Sequence, residues 1–197
     1  MFYFIGGPAR CGKTTLAKMA RKEIDGQVIS ADGMMTALQD NLQADWIPDL
    51  FHRVREIVDS DDPASLKVKN VRKRDRIVWD FLVSYFKEAE FSQDDVLVEG
   101  TIWADLLADF HHDHKAVFLV DTSEKHFDRL IEIKNSDTHS NWMKDIDDEK
   151  IARYAQFNVE RSKEHIRQCK EFGYPYFDIK EHGIGKVQQL ALDYLVG

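Results

Sequence analysis

The sequence predicts an α/β protein in which helices cover both faces of one parallel β-sheet. Short apolar runs typical of buried strands alternate along the chain with segments whose apolar residues recur at helical spacing. Glycines and acidic residues follow these runs, at the strand ends where doubly wound sheets bind ligands. The 197 residues are enough for one such domain and too few for two. We therefore expect a single domain over residues 1–197.

Five strands are predicted from the apolar runs and the residues that end them. The first run stops at Gly6 and Gly7, and the third stops at Glu99 and Gly100. Pro175 stands before the last run, which suits a strand at the edge of the sheet. The predicted strands cover residues 2–5, 27–31, 96–98, 116–120 and 176–179.

About 60 residues separate the second and third predicted strands, far more than a crossover connection requires. Their most regular part carries a wide apolar stripe at the spacing of one long helix, made by Val78, Phe81, Leu82, Tyr85, Phe86 and Ala89. We expect residues 33–95 to form a helical insertion on the acceptor side that walls a substrate pocket. Residues 134–148 are polar without periodicity and are expected to form a lid-like loop.

Composition excludes several classes of function. The formal net charge is −8, so non-specific binding to nucleic acid or to an anionic membrane surface is not expected. No apolar run approaches the roughly 20 residues of a membrane-spanning helix, and the first residues lack the basic start of a signal peptide. Cys11 and Cys169 are too few for a disulfide framework. These features predict a cytoplasmic protein and leave its oligomeric state open.

The most specific feature is the run from Gly7 to Thr14, which fits the pattern G-x-x-x-x-G-K-[ST] at every fixed position. It lies directly between a predicted strand and a predicted helix, which is the context of a phosphate-binding loop. Its glycines allow backbone N–H groups to surround a phosphate, and the positive end of the helix dipole adds attraction. The alternative is a glycine-rich turn with a solvated lysine.

The same pattern predicts ATP and Mg²⁺ as ligands. Lys13 would reach the β- and γ-phosphates, Thr14 would bind Mg²⁺, and Thr15 would face the α-phosphate. The predicted nucleotide-binding residues are Gly7, Ala9, Arg10, Cys11, Gly12, Lys13, Thr14 and Thr15.

The chain resembles the small P-loop kinases of the nucleoside-kinase-like group. Within that group it is most similar to the 2-phosphoglycerate-kinase-like, zeta-toxin-like and chloramphenicol-phosphotransferase-like proteins. The phosphate loop carries most of this resemblance, and residues 28–32, 96–100 and 118–123, followed by Arg129, also match. The resemblance implies a three-layer P-loop NTPase fold, with five parallel strands in the order 2-3-1-4-5, and the activity of a kinase.

Two acidic residues, Asp32 and Glu99, end the second and third predicted strands and should face the position that Lys13 reaches. The resemblance implies that Asp32 orients the attacking hydroxyl or accepts its proton; the alternative is that it caps a helix beginning near Met34. The resemblance also implies that Glu99 holds Mg²⁺ through water or contacts the substrate, and a carboxylate that only ends a strand is the alternative. Asp121 ends the fourth strand and is expected to be structural or to cap a helix, although its pattern alone would also fit a Mg²⁺-binding position.

Phosphoryl transfer needs cations beyond the loop lysine, and several arginines are candidates. The resemblance places Arg129 near the nucleotide, and Arg161 lies on a predicted helix face directed toward the cleft. Both are candidate catalytic residues, with a solvated surface arginine as the alternative. Arg72 and Arg76 share a helix face and could bind an anionic group of the acceptor, or Arg76 could pair with Asp80 on a solvated face.

These features predict a P-loop phosphotransferase that moves the γ-phosphoryl group of Mg·ATP to a small-molecule acceptor. The alternative is a nucleotide-binding switch or ATPase module that acts through a protein partner. A GTPase-type N-K-x-D motif is absent, and a helical wall with Asp32 at its base suits an acceptor pocket better than a switch. The acceptor could be a nucleoside or nucleotide, an antibiotic, a sugar derivative or a phosphorylated metabolite, and motifs do not decide among them.

Overall fold

Five parallel strands form one sheet in the computed structural model of the chain, which describes residues 1–89, 95–136 and 143–197. The strands are β1 Phe2–Gly6, β2 Gly26–Ser30, β3 Asp95–Glu99, β4 His114–Val120 and β5 Tyr176–Asp178. Their order is β2-β3-β1-β4-β5, so the central strand is β1 and β5 lies at an edge, as Pro175 predicts. The predicted fold class and strand order are confirmed.

The strand register brings the ends of neighbouring strands together. Glu99 of β3 pairs with Ile5 of β1 on one side and with Ser30 of β2 on the other. Gly6 pairs with Phe118 of β4. Because all five strands are parallel, the residues that follow these positions meet at one edge of the sheet.

Nine helices lie in the described parts of the chain. They are α1 Lys13–Ala20, α2 Ala31–Asn41, α3 Val54–Asp59, α4 Ala64–Glu88, α5 Ala104–Ala108, α6 His126–Lys134, α7 Asp148–Phe172, α8 Ile179–His182 and α9 Ile184–Val196, with a short 3-10 turn at Pro48–Phe51. The sheet separates two apolar cores. Helices α1 and α9 contribute Leu16 and Val187 to one core, and α4 and α7 contribute Leu82 and Phe157 to the other. The three layers of the prediction are therefore present.

The segment between β2 and β3 is helical, with α2, α3 and the 25-residue α4. Val78, Leu82 and Phe86 of the predicted stripe are buried, whereas Phe81 and Tyr85 are exposed, so the buried face of α4 is narrower than the stripe. The bounds 33–95 and the acceptor-side role of this segment stay predictions.

The predicted lid-like loop, residues 134–148, falls partly outside the described residues, which do not include 137–142. Lys134 ends α6 and Asp148 begins α7, and an ion pair at 2.7 Å joins the two side chains. A lid function for this segment stays a prediction. Among the described residues, no helix is both long enough and apolar enough to cross a membrane.

Candidate active site

The phosphate loop runs from β1 into α1 through three residues with positive φ, which are Gly7 at 119°, Arg10 at 64° and Gly12 at 85°. A Cβ atom on Gly7 would lie 2.0 Å from the carbonyl oxygen of Leu119, so only glycine fits there. A Cβ atom on Gly12 would lie 2.5 Å from Nε2 of Gln188, which donates a hydrogen bond to the Gly12 carbonyl at 3.2 Å. The backbone path therefore requires both fixed glycines of the motif.

The side chains of the loop differ in what they present to a ligand. Lys13 is buried, and its Nζ donates a hydrogen bond to the carbonyl of Pro8 at 2.7 Å, inside the turn of the loop. Thr14 and Thr15 are exposed in the first turn of α1. Cys11 is fully buried, and burial raises the pKa of its thiol to about 11, so it stays protonated at neutral pH. All eight predicted nucleotide-binding residues lie in this loop and first turn: Gly7, Ala9, Arg10, Cys11, Gly12, Lys13, Thr14 and Thr15.

Glu99, at the end of β3, connects the phosphate loop with the edge strand β2. Its Oε2 accepts a hydrogen bond from the Thr14 hydroxyl at 3.2 Å, and its Oε1 accepts one from the Ser30 hydroxyl at 3.0 Å. The residue is 6% exposed, and these two donors satisfy its carboxylate. Glu99 thus contacts the hydroxyl that the motif assigns to Mg²⁺.

The Thr14–Glu99 pair fits a Mg²⁺ site. Two neighbouring ligands of an octahedral Mg²⁺, each at its usual bond length, lie about 3 Å apart, and these two oxygens are 3.2 Å apart. Within the described residues, no group of three or more His, Cys, Asp or Glu side chains could hold a metal. A nucleotide-bound Mg²⁺ does not need one, because one or two protein ligands complement phosphates and water.

Asp32 lies in the first turn of α2 but does not cap it. The N-cap is Ser30, whose Oγ accepts a hydrogen bond from the backbone N–H of Gly33 at 3.2 Å. The helix begins at Ala31, three residues before Met34, so the alternative role of Asp32 as a helix cap is wrong.

The Asp32 carboxylate is held by the loop that follows β3. Its Oδ1 accepts hydrogen bonds from the backbone N–H of Thr101 at 3.0 Å and from the Thr101 hydroxyl at 2.6 Å. Burial opposes ionisation, but the charge of Lys13 and the bond from Thr101 outweigh it, and the pKa of Asp32 falls below its usual value. The charges of Arg161 and Arg74 add to this shift. Asp32 is therefore ionised at neutral pH.

Gly100 allows the loop after β3 to approach α2 this closely. Its φ is 134°, and a Cβ atom on it would lie 3.0 Å from both the backbone nitrogen and Oδ1 of Asp32. The absence of a side chain at Gly100 thus helps to position Asp32.

A cavity of about 600 Å³ lies beside the phosphate loop, between the segments that follow β4 and β5. Arg129 and Ile184 line it, and Ile184 also approaches Gly12, since a Cβ atom there would lie 3.4 Å from its Cδ1. Asp178 joins the two loops that form the cavity, because it accepts hydrogen bonds from the Thr122 backbone at 3.1 Å and the Thr122 hydroxyl at 2.5 Å. The volume suits a nucleoside.

Arg129 and Arg161 occupy different parts of the molecule. Arg129 lies at the cavity beside the loop, where its Nη2 pairs with the buried carboxylate of Asp121 and donates to Ser123 Oγ at 3.1 Å. Asp121 contacts side chains and backbone on the α6 and α7 side of β4, and in the described part of the chain it is not hydrogen-bonded to Thr14. The catalytic roles of Arg129 and Arg161 stay predictions.

Arg161 belongs to a buried ionic cluster between α7 and α4. Its Nη2 lies 3.0 Å from Oδ2 of Asp75, a fully buried residue. Arg74 donates to Oδ1 of Asp75 at 2.6 and 2.9 Å, and Trp103 Nε1 donates to Oδ2 at 2.8 Å. Two guanidinium groups around one carboxylate leave one excess positive charge. Both arginines lower the pKa of Asp32 through their charge.

Arg72 and Arg76 share a face of α4 but meet different surroundings. Arg72 pairs with Asp105 at 2.5 Å and with Glu164 at 3.5 Å. Arg76 is exposed in a groove of about 470 Å³ that includes His111, near the start of β4 and so at the edge of the sheet away from the phosphate loop. A role for either arginine in binding the acceptor stays a prediction.

Sequence reasoning missed two residues that hold the site, Asp75 and Thr101. A signal for Asp75 was present, because it falls four residues after Val71 and three before Val78, at a core position of α4. A charged residue is found at such a position only when it has a buried partner. Thr101 carries no comparable signal, since its role depends on the turn that follows β3.

No protein-family model matches the chain, and no curated protein matches its sequence. Its fold is similar to solved structures of kinases. Shikimate kinase from Bacteroides thetaiotaomicron gives a TM-score of 0.55 at 16% identity, over 98% of this chain and 94% of that chain. Shikimate kinase from Acinetobacter baumannii, solved in complex with shikimate, gives 0.51 at 14% identity, over 98% of this chain and 90% of that one. At such identities the likeness establishes the fold alone. The chain thus has the fold of P-loop kinases. The narrower resemblance to the nucleoside-kinase-like group stays a prediction.

Proposed function

We propose that this protein is an ATP-dependent kinase that transfers the γ-phosphoryl group of Mg·ATP to a hydroxyl group of a small-molecule acceptor. The observation that carries this proposal is the convergence of Lys13, Thr14, Asp32 and Glu99 at one edge of the sheet. Thr14 contacts Glu99 at 3.2 Å, and Lys13 lies close enough to Asp32 to lower its pKa.

The nucleotide would bind across the phosphate loop, with its base in the cavity of about 600 Å³ beside that loop. Backbone N–H groups between Gly7 and Thr15 would surround the phosphates, and Lys13 would exchange its bond with Pro8 for the β- and γ-phosphates. Arg129, in the cavity wall, would contact the base and ribose side of ATP.

Thr14 and Glu99 would hold Mg²⁺, Thr14 through its hydroxyl and Glu99 directly or through water. When bound, the ion neutralises the phosphate charge that develops during transfer. Ser30 supports this site because it fixes the second oxygen of Glu99 at 3.0 Å.

Asp32 would orient the acceptor hydroxyl toward the γ-phosphate. Its Oδ1 is bonded to Thr101, and no group in the described part of the chain bonds to Oδ2, which leaves that oxygen for the acceptor. A carboxylate with a lowered pKa is a weak base, so positioning contributes more than proton removal, which suits a loose phosphoryl-transfer transition state.

Arg161 would supply positive charge near the transferred group. It is 4% exposed and fixed by Asp75, so its charge is preorganised and does not need to move during the reaction. We place the acceptor between Asp32 and the helical segment of residues 33–95, with residues 134–148 as a lid. Both cysteines are free and buried, which supports a reducing compartment such as the cytoplasm.

The test is the release of ADP from Mg·ATP in a panel of nucleosides, sugar derivatives, phosphorylated metabolites and antibiotics, with phosphorus NMR of the product. A kinase gives ADP release that depends on one class of acceptor and a phosphorylated product. A constant slow ADP release that no acceptor changes, and that a protein partner raises, would instead support the nucleotide-binding switch.

A further inference from the structure

A buried carboxylate outside the proposed catalytic residues, Asp121, holds the arginine of the nucleotide cavity. It follows β4 and is 1% exposed. Its Oδ2 pairs with Nη2 of Arg129 and lies 2.6 Å from ring nitrogen Nδ1 of His126. Its Oδ1 accepts a hydrogen bond from the backbone N–H of Ser123 at 3.0 Å. A buried carboxylate with three such partners is fixed in position.

Because His126 is neutral, Arg129 is the ionic partner of Asp121. Burial lowers the pKa of His126 to about 4, so the ring is neutral at neutral pH. Because a carboxylate only accepts hydrogen bonds, Nδ1 of the neutral ring carries the hydrogen and donates it to Asp121. Within residues 1–89, 95–136 and 143–197, Arg129 is then the one charged group that contacts Asp121.

Arg129 keeps donors for a ligand. Its contacts with Asp121 and Ser123 both use Nη2, whereas a guanidinium group has N–H donors on three nitrogens. The side chain is 26% exposed and lines the cavity of about 600 Å³ beside the phosphate loop. The exposed part of Arg129 therefore faces the space that we assign to the base and ribose.

The end of β4 that carries Asp121 is itself anchored. The backbone N–H of Asp121 donates to Oγ of Ser162 on α7 at 3.0 Å, and Ser162 is fully buried. The backbone that carries the Asp121 carboxylate is thus anchored to α7, and Arg129 contacts the carboxylate from α6.

We propose that Asp121 is a positioning residue for nucleotide binding, which holds the guanidinium group of Arg129 against the base and ribose side of ATP. His126 is its neutral second partner. The inference rests on the proposed function, because it takes the cavity beside the phosphate loop as the nucleotide site.

The experiment is a double-mutant cycle on Mg·ATP binding, measured by titration calorimetry with Asp121→Asn, Arg129→Gln and the double variant. Each single substitution should raise the Kd about 10-fold, the effect of losing one hydrogen bond to a charged group. The double variant should bind no more weakly than Arg129→Gln alone, because Asp121 acts through Arg129. Asp128→Asn, at an exposed position on the same helix, is the matched control and should leave the Kd unchanged.

A second ligand separates positioning from a general structural effect. Magnesium tripolyphosphate lacks base and ribose, so Asp121→Asn should leave its Kd unchanged while weakening Mg·ATP. If Asp121→Asn does not fold, Asp121→Glu takes its place in the cycle, because it keeps the charge but displaces the carboxylate from Arg129.

Three results would overturn the inference: an unchanged Mg·ATP Kd in folded Asp121→Asn, equal weakening of both ligands, or additive effects in the cycle. If Asp121→Glu is used, an equally large loss of Mg·ATP affinity in the Arg129→Gln background would also overturn the inference. Wild-type protein that does not bind Mg·ATP would instead overturn the proposed function.

Discussion

The hydroxyl of Thr14 and the carboxylate of Glu99 lie 3.2 Å apart, which joins the phosphate loop directly to the end of β3. The strand register produces this contact, because β1 and β3 are neighbours and Ile5 pairs with Glu99. Two residues separated by 85 positions in the sequence thus form the proposed Mg²⁺ site.

Glu99→Gln should raise the Mg²⁺ concentration needed for half-maximal ADP release by roughly 10–100-fold, the usual cost of a lost metal-supporting group. Glutamine keeps the shape and can still bond Thr14 and Ser30, so nucleotide binding without Mg²⁺ should stay close to that of the wild type. The measurement is a Mg²⁺ titration at saturating ATP, with exposed Glu88→Gln as the control. An unchanged titration curve would remove Glu99 from the metal site.

Lys13→Ala should abolish stabilisation of the protein by Mg·ATP. Ligand at 100 times its Kd stabilises a folded protein by about 2.7 kcal/mol, so the wild type should melt at a clearly higher temperature with nucleotide than without it. Lys18→Ala, on an exposed position of the same helix α1, should keep this shift. A Lys13→Ala variant that Mg·ATP stabilises as well as the wild type would contradict the phosphate-loop assignment.

Gly100→Ala should lower phosphoryl transfer more than it lowers Mg·ATP binding. The new Cβ atom would lie 3.0 Å from Asp32, so the carboxylate must shift, and the positive φ adds about 1–3 kcal/mol of strain. Gly173→Ala is a matched control, because Gly173 has a φ of 77° but nothing within 4 Å of the added atom. If the transfer rate falls in proportion to the free energy of unfolding in both variants, Gly100 does not act through Asp32.

Arg161→Gln should lower kcat/KM for the acceptor by about 10²–10³-fold, as expected for a preorganised cation near the transferred group. Its Mg·ATP Kd should stay unchanged. The variant should also be less stable, because Asp75 loses a buried partner, so kinetics are measured well below its melting temperature. Arg76→Gln, in the distant groove, should leave both constants unchanged. The reverse pattern would place the acceptor on the outer face of α4.

The fold could be predicted from the sequence because its signals are local. Each strand of the sheet is an apolar run with a clear end, and the phosphate loop has a fixed spacing between Gly7 and Thr14. The contact of Glu99 with Thr14 is not local. The sequence predicts that both residues lie at the same edge of the sheet, but it does not predict that they touch. Arg72 and Arg76 share a helix face, but the sequence does not state which neighbours that face meets.

Asp32 shows the limit of position-based reasoning most clearly. From the sequence it could orient a substrate or cap a helix, and the choice depended on where α2 begins. The structure excludes the cap, because Ser30 fills that position and Thr101 holds the carboxylate instead. Asp32→Asn therefore changes the charge without removing a helix cap, which makes it a clean probe of function.

The pH dependence of Asp32 follows from its lowered pKa. A carboxyl group with a depressed native pKa stabilises the fold above its unfolded pKa, which is about 3.9, and that stabilisation is lost as pH falls through the native pKa. Between pH 5 and 8 the residue stays ionised, so Asp32 should give no acidic limb in the pH profile of transfer.

The most direct measurement is the rate of phosphoryl transfer by Asp32→Asn relative to the wild type, at equal saturation with Mg·ATP and at pH 7. We expect the Mg·ATP Kd to be unchanged, because the phosphate loop is intact, and transfer to fall by roughly 10²–10⁴-fold, the contribution of a positioned acid–base group. Transfer within a few-fold of the wild-type rate, at unchanged stability, would contradict the central role of Asp32 and the kinase mechanism built on it.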